Sequence, residues 1–294
     1  MSKHLVIGAS GQIGEQLVCA LRNAKLEVLG TYNSRPVPDA YFLDIRDVSQ
    51  TRSLIVELHP DVIYLPAAQT NVDACELNPA DTYITNVLGV KNILLAATEV
   101  AAKPVYFSTD YIFDGKNGPY SETDPVNPIC EYGRQKVYAE HLIAMEDKQH
   151  LIVRTTVVYG WERQGKNFIY QLLRSLNSGQ IIRVPVDQIG NPTYAPDLAQ
   201  TVVSMVLSGA SGVYNVVGSD RIDRYQFARQ AARVFGLNQD LVLGVSTYKL
   251  GQQARRPLVA GLRLDKLDDT FGIKLSSCQE GLQKMADERK NHLI

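Results

Sequence analysis

Cysteine is scarce in this chain: four residues in 294, Cys19, Cys75, Cys130 and Cys278, with no CxxC spacing among them. That pattern argues against a disulfide framework and suits a reducing compartment. The five histidines form no HxxxH motif and no cluster with the cysteines, so no structural zinc site is expected. Long apolar runs are missing too, each cut by Asn, Glu, Lys or Pro well short of a membrane span. The opening Met-Ser-Lys-His-Leu-Val-Ile-Gly leads directly into a strand-like segment and holds no apolar core of signal-peptide length. Neither charge predominates. With 30 basic and 31 acidic side chains the net charge is −1, which gives no reason to expect nucleic acid or a membrane surface as the main partner. Internal repeats and low-complexity segments are absent. The expectation is a soluble, cytoplasmic protein.

What is present suits an enzyme, with 45% apolar residues for a core and 21% charged. The length implies one large domain or two closely joined ones. Short apolar runs at 5–7, 28–30, 62–65, 105–107 and 151–153 alternate with segments of helical spacing at 12–24, 49–58, 82–100 and 128–144. Such βαβα order predicts an α/β fold, a doubly wound parallel sheet of Rossmann type covered on both faces. Beyond about residue 155 the alternation loosens at “QIGNPTYAPD” and “ARRPLVAG”. Residues 1–155 therefore read as a dinucleotide-binding domain. Residues 156–294 read as a smaller, mainly substrate-binding lobe partly interleaved with the first domain, its tail “ADERKNHLI” a solvated helix end.

The segment “HLVIGASGQIGEQL” sets Gly8, Gly11 and Gly14 between the first strand and the first helix. Glycine there lets the turn tighten, the backbone approach a pyrophosphate, and the helix pack closely on the strand. The helix start adds free amides and a positive dipole end. A glycine triplet alone also serves ordinary turns. The strand-loop-helix context favours a cofactor cradle built from Gly8, Ser10, Gly11, Gln12, Ile13 and Gly14. A carboxylate ending the second strand would read a ribose 2′-hydroxyl and favour NAD. Here Thr31-Tyr32-Asn33-Ser34-Arg35 supplies none. Arg35, aided by Asn33 and Ser34, can instead pair with a 2′-phosphate; an exposed loop arginine is the alternative. NADPH is the expected cofactor, with NADH as the other option.

In open α/β sheets, ligands bind beyond the carboxyl ends of the strands, and “STDYIFDGKNGPY” puts Ser108, Thr109 and Asp110 at one such end. Downstream, in “NPICEYGRQKVYAEHL”, Asn127 reads as an N-cap and Pro128 as the first helical residue. Tyr132 and Lys136, four apart, then project from one face of that helix. With 15 tyrosines in the chain, about one YxxxK match is expected by accident. Its weight comes from the order: glycine loop, hydroxyl-bearing strand end, then YxxxK on the next helix. A phenol titrating near ~10 is a reluctant acid at neutral pH. A cation beside it, Lys136, is expected to stabilise the phenolate and ease proton relay.

These residues in this order resemble the extended short-chain dehydrogenase/reductase superfamily over nearly the whole chain. Within it, “STDYIFDG”, “DQIGNPT” and “ARRP” resemble the dTDP-4-dehydrorhamnose reductase family. The related methionine adenosyltransferase β subunit shares the “DYxFDG” and “RP” elements. The resemblance implies NADPH-dependent reduction of a 4-keto nucleotide sugar, with no metal needed for the step. It implies that Tyr132 is the proton donor, that Lys136 activates it and holds the nicotinamide ribose, and that Thr109 anchors the carbonyl. By the same resemblance Asp44 and Ile45 contact adenine, Ala67 and Ala68 line the cofactor, Thr70 stands near substrate and nicotinamide, and Asn86 supports the framework. For Ala67 and Ala68 simple packing is the alternative. Asp110 either orients substrate hydroxyls or caps the turn. Asn191 in “DQIGNPT” and Arg256 in “ARRP” are substrate-side candidates, Arg256 being favoured over Lys166, Arg183 and Arg255 as a cation for the diphosphate. A homodimer is a family expectation.

Departures from the family pattern gather on the substrate side. Pro66 precedes the Ala-Ala pair, Val157 stands where the reductases carry tryptophan, and the sole Trp161 lies four residues on. After “RRP” come Val259-Ala260 in place of Asn-Ser, then Leu262-Arg263 in place of Leu-Asp. Two other functions share the motifs: an NADP-binding regulatory subunit resembling the methionine adenosyltransferase β subunit, and a nucleotide-sugar epimerase that retains NAD.

Overall fold

A computed structural model describes residues 2–146 and 149–291. The chain runs β1 (Lys3–Val6), α1 (Gln12–Asn23), β2 (Glu27–Tyr32), β3 (Ala40–Phe42), α2 (Val48–Leu58), β4 (Val62–Leu65) and α3 (Val72–Leu77). Next come α4 (Pro79–Tyr83), a π-helical turn (Ile84–Leu88), α5 (Gly89–Glu99), β5 (Lys103–Thr109), α6 (Glu131–Glu146) and β6 (Leu151–Thr155). The second half contributes β7 (Val158–Tyr159), α7 (Phe168–Asn177), β8 (Ile182–Pro185), β9 (Ile189–Gly190), β10 (Thr193–Tyr194), α8 (Ala195–Leu207) and β11 (Gly212–Asn215). It ends with β12 (Ile222–Asp223), α9 (Arg224–Val234), β13 (Val242–Val245), α10 (Asp265–Phe271) and α11 (Cys278–Asp287).

Seven strands form one sheet in the order β11-β6-β5-β4-β1-β2-β3, and every pairing in it is parallel. Strands covered on both faces are buried along their length, any charge in them being paired, as Arg154 is with Glu140. Accordingly “VIYL” in β4 and “LIVRT” in β6 are buried at every position. On one face α1 and α8 press Leu17, Leu21, Leu198, Val202 and Met205 onto the sheet. On the other, α2, α5 and α6 supply Ile55, Ile93, Leu94, Ala139 and Ile143. Each Leu, Ile, Val or Met side chain among them contributes about 1.5–3 kcal/mol by leaving water. Strand order reverses beside β1, between β2 and β4, and a doubly wound sheet opens its binding crevice there.

The second half returns to this sheet through β11 and α8. Its remaining elements surround a third core that holds Trp161, Leu172, Phe227 and Leu282. The helix α7 shows how sequence builds it: Ile169, Leu172, Leu173 and Leu176 recur at helical spacing and are its buried residues. Asn167 caps that helix by accepting from the Tyr170 amide at 3.1 Å. The lone tryptophan belongs to this core, donating from Nε1 to the Met285 carbonyl at 2.8 Å.

Two helix expectations differ from the structure. The segment 82–100 is interrupted by the π turn around Asn86 rather than being one regular helix. The helix expected from Pro128 begins at Glu131. Asn127 does not cap it; its amide N–H donates to the Ile112 carbonyl at 2.8 Å and its side chain to Asp114 at 3.2 Å. Glu76, from α3, instead accepts from the Glu131 amide at 2.9 Å. A distant carboxylate has replaced the local cap. At the other end of the chain, α11 is followed by a 3-10 turn at Glu288–Asn291, and residues 292–294 of the expected helix tail lie outside the described residues. No helix among the described residues is long and apolar enough to cross a membrane.

Candidate active site

Gly8 turns the chain out of β1 with φ +89°, a conformation costly for any residue with a Cβ. Its amide donates to Thr31 Oγ1 at 3.1 Å, and the Ala9 amide to the Thr31 carbonyl at 2.7 Å. Helix α1 crosses so close that a Cβ on Gly14 would lie 2.1 Å from the Gly8 carbonyl oxygen. Gly11 occupies the cap position and has no side chain to bond the first amides. Nearby, Gln12 Nε2 is buried without a partner among the described residues. Free amides, a positive helix end and an orphaned buried donor fit the pyrophosphate of a dinucleotide.

Around this cradle, Ser10 lends its carbonyl to Gln164 Nε2 at 3.1 Å, and Ile13 is half-buried against the α1–α8 core. Asn33, Ser34 and Arg35 form an exposed loop after β2, with Asn33 Nδ2 reaching the Leu43 carbonyl at 3.4 Å. Asp44 is gripped by Arg46 at 2.6–3.0 Å, and that hydrogen bonding holds its carboxyl below the ordinary range. Ile45 is buried where Gly89 leaves it room. After β4, Ala67 and Ala68 are half-buried and Thr70 is exposed. A Cβ on Gly8 would meet that of Ala67 at 3.0 Å, so packing alone already favours a small side chain there.

At the end of β5, Thr109 Oγ1 accepts from the Tyr111 amide and donates to Asp110 Oδ1, both at 3.3 Å. Burial pushes the Asp110 carboxyl up to about 6, against hydrogen bonding from Thr156 and the charge of Arg224. The Ser108 hydroxyl is buried and has no partner among the described residues. Helix α6 brings Tyr132 beside Tyr111, their rings edge-to-face at 5.8 Å. One turn on, Lys136 Nζ donates to the Phe107 carbonyl at 2.7 Å and to the Tyr106 hydroxyl at 3.0 Å. Glu140, a further turn on, takes Arg154 at 3.1 and 2.7 Å.

The expectation that Lys136 lowers the Tyr132 phenol is not met here. Burial drives the phenol above its ordinary value, and the neighbouring Cys75, Tyr111 and Asp110 add to the rise. Burial also pushes the Lys136 ammonium down to about 7. The physical reason is burial: both groups lose water, and two of the lysine's donors go to the Phe107 carbonyl and the Tyr106 hydroxyl of β5.

Asn86, at the π turn, accepts from the Gln69 amide at 2.8 Å and donates to Gln135 Oε1 at 2.8 Å. It thereby ties the loop after β4 to α6. Asn191 has both ends of its amide taken by backbone: Oδ1 accepts from Leu262 at 2.9 Å and Nδ2 donates to Gly218 at 3.2 Å. Arg256 is nearly buried and donates to Asp73 Oδ1 at 2.9 Å and to the Ala254 carbonyl at 3.0 Å. Asn191 thereby ties together segments within the second half, whereas Arg256 joins that half to α3 of the sheet domain. Lys166, Arg183 and Arg255 are exposed.

Residues 2–291 match the family described as RmlD substrate binding domain. The chain belongs to that family. It is 34% identical to spore coat polysaccharide biosynthesis protein SpsK of Bacillus subtilis, over 99% of both chains. It is 34% identical to a dTDP-4-dehydrorhamnose reductase of Aggregatibacter actinomycetemcomitans, over 97% of this chain and 98% of that one. Among solved structures, it is similar to a dTDP-4-dehydrorhamnose reductase of Bacillus anthracis in complex with NADP: TM-score 0.90, 30% identity, 98% of this chain and 100% of that one.

For a member of the RmlD family, the substrate side carries unforeseen features. A cleft beside Asp110 is lined by Thr156, Val157, Gln188, Gly190 and Arg224. Val157 sits at φ +44°, a strained setting for a β-branched residue of the kind that clusters at functional sites. Arg224 stacks over Phe168, 5.3 Å from the ring centroid. It opens helix α9, where a cation opposes the dipole. That mismatch in “RIDRYQF” was the available signal for it. Tyr106 and Gln135 carried no sequence signal, since buried strand and helix positions look alike whether or not they meet a polar group.

Proposed function

We propose that this protein is an NADPH-dependent reductase of a 4-keto nucleotide sugar, with dTDP-4-dehydrorhamnose as its substrate. The observation that carries this reading is the convergence of the Gly8–Gly14 cradle with Thr109, Tyr132 and Lys136 at the carboxyl edge of one parallel sheet. NADPH, when bound, supplies the hydride. The start of α1 would hold its pyrophosphate, Asn33, Ser34 and Arg35 its 2′-phosphate, and Asp44 and Ile45 its adenine. Ala67, Ala68 and Thr70 would border the nicotinamide end.

The Thr109 hydroxyl holds the ketone oxygen, and Tyr132 delivers its proton there as negative charge develops. A phenol raised by burial keeps that proton until it is needed, and Lys136 steadies the phenolate that remains. Asp110 receives substrate hydroxyls. Arg224 is the cation lining the cleft and meets the diphosphate, since Arg256 is held by Asp73 and acts with Asn191 through the shape of the site. We place the substrate lobe in residues 156–294 and the reaction in the cytoplasm, which suits four free cysteines. Exposed Ile84, Leu88, Leu95, Tyr138 and Met145 on neighbouring helices support a homodimer, measurable by light scattering.

The test follows NADPH absorbance with dTDP-4-dehydrorhamnose, wild type and Tyr132→Phe side by side, and NADH in parallel. Turnover by the wild type should fall by about 10²–10⁴-fold in the variant with NADPH still bound. NADPH binding without turnover of any 4-keto nucleotide sugar would replace this reading with a regulatory subunit.

A further inference from the structure

We propose that the Tyr106 hydroxyl is a positioning group for the reaction: it fixes Lys136 Nζ on β5, so that one N–H remains to serve Tyr132 and the cofactor. This rests on the reductase reading above.

Tyr132, Lys136 and Glu140 stand four residues apart along α6 and so share one face. On that face Lys136 meets β5 and Glu140 meets Arg154 of β6. Lys136 is 3% exposed and Tyr106 1%, so water does not satisfy either polar end. An ammonium carries three N–H donors. One goes to the Phe107 carbonyl at 2.7 Å and a second to the Tyr106 hydroxyl at 3.0 Å. The same Nζ lies 4.4 Å from the centroid of the Tyr106 ring, so a single side chain holds it through both hydroxyl and π-face.

The charged and titratable neighbours leave this hydroxyl as the side chain that holds the lysine. Glu140 is the nearby anion, yet its two oxygens are committed to Arg154 at 3.1 and 2.7 Å. Cys75 and Tyr132 are the other titratable groups close by, and burial keeps both protonated. Packing alone would be met by phenylalanine, because Tyr106 lies in the apolar cluster of Ile63, Leu94 and Ile143. The oxygen at its tip is thus surplus to the core and useful to the lysine. Unbonded, it would carry the cost of a buried polar group.

Tyr106→Phe removes that oxygen and leaves the ring. Losing one acceptor weakens the charged form of Lys136. Activity that needs the ammonium should then be lost at lower pH, the basic limb of kcat/KM moving down by about one unit. The rate at pH 8 should fall about tenfold, with the melting temperature lowered by only about 2 °C for the lost hydrogen bond. A second readout needs no turnover: ¹⁵N NMR titration of lysine-labelled, cofactor-free protein, with Lys136→Met identifying the resonance. Its midpoint should fall by the same amount in Tyr106→Phe. An unchanged midpoint, or a pH profile lowered in height but not displaced, overturns the proposal whatever the substrate. A displaced midpoint in a protein that reduces no sugar upholds the anchoring of Lys136 and sinks the reductase reading instead.

Discussion

Replacing Lys136 by methionine should abolish reduction and yet stabilise the cofactor-free protein near neutral pH. The side chain is buried, and its ammonium is driven from the ordinary 10.5 to about 7. Between those values the unfolded chain binds a proton that the folded chain does not, so wild-type stability rises with pH across the window. At roughly 1.4 kcal/mol per factor of ten, the cost of this lysine is about 5 kcal/mol below pH 7. It is about 4 kcal/mol at pH 7 and about 1 kcal/mol at pH 10. Methionine removes that cost but abandons two hydrogen bonds, to Phe107 and Tyr106, together about 2 kcal/mol.

The expected net is a gain of about 2 kcal/mol at pH 7, turning to a loss of about 1 kcal/mol at pH 10. In a protein of this size the neutral-pH gain raises the melting temperature by about 3 °C. Urea unfolding of both proteins at pH 7, 8.5 and 10 measures the difference directly, and other titrating groups cancel in it. A variant that is less stable at pH 7, or a difference that does not vary with pH, would refute the reasoning. Either result would mean that the ammonium is accommodated without cost.

Three further outcomes are expected. Gly14→Ala places a Cβ 2.1 Å from the Gly8 carbonyl; the backbone must move, costing about 1–3 kcal/mol and weakening NADPH binding more than tenfold in a fluorescence titration. Asp110, whose carboxyl stands near 6 against an ordinary 3.8, is most stabilising when protonated. That contribution is present below pH 4 and is lost as pH rises through 6, while the KM for the sugar should climb as pH falls below 6 and be flat in Asp110→Asn. Asp73→Ala leaves Arg256 nearly buried without its carboxylate and should cost about 1–2 kcal/mol in urea unfolding, with NADPH binding unaffected.

The parallel α/β architecture was legible in the sequence because strand and helix periodicity are local properties. Runs such as “VIYL” and “LIVRT” admit few placements other than a sheet covered on both faces. The Gly8–Gly14 turn is equally local: a positive φ and a close helix crossing each demand glycine within a few residues of chain. Spacing alone also set Tyr132 and Lys136 on one face of α6.

Only the tertiary structure decided where those side chains end up. Lys136 is turned onto β5 because Tyr106 and Phe107 lie beneath it, some 30 residues earlier in the chain. Helix α6 starts at Glu131, not Pro128, because Glu76 of a separate helix meets its first amide. Arg256 and Asn191 are spent on Asp73, Gly218 and Leu262, partners that no sequence window contains. Arg224 reaches the cleft because β12 and β9 pair and bring the start of α9 to Asp110. Backbone periodicity follows from neighbours along the chain. Burial, ionisation and hydrogen-bond partnership depend on neighbours through space, and those exist only once the sheet and the second half have closed on one another.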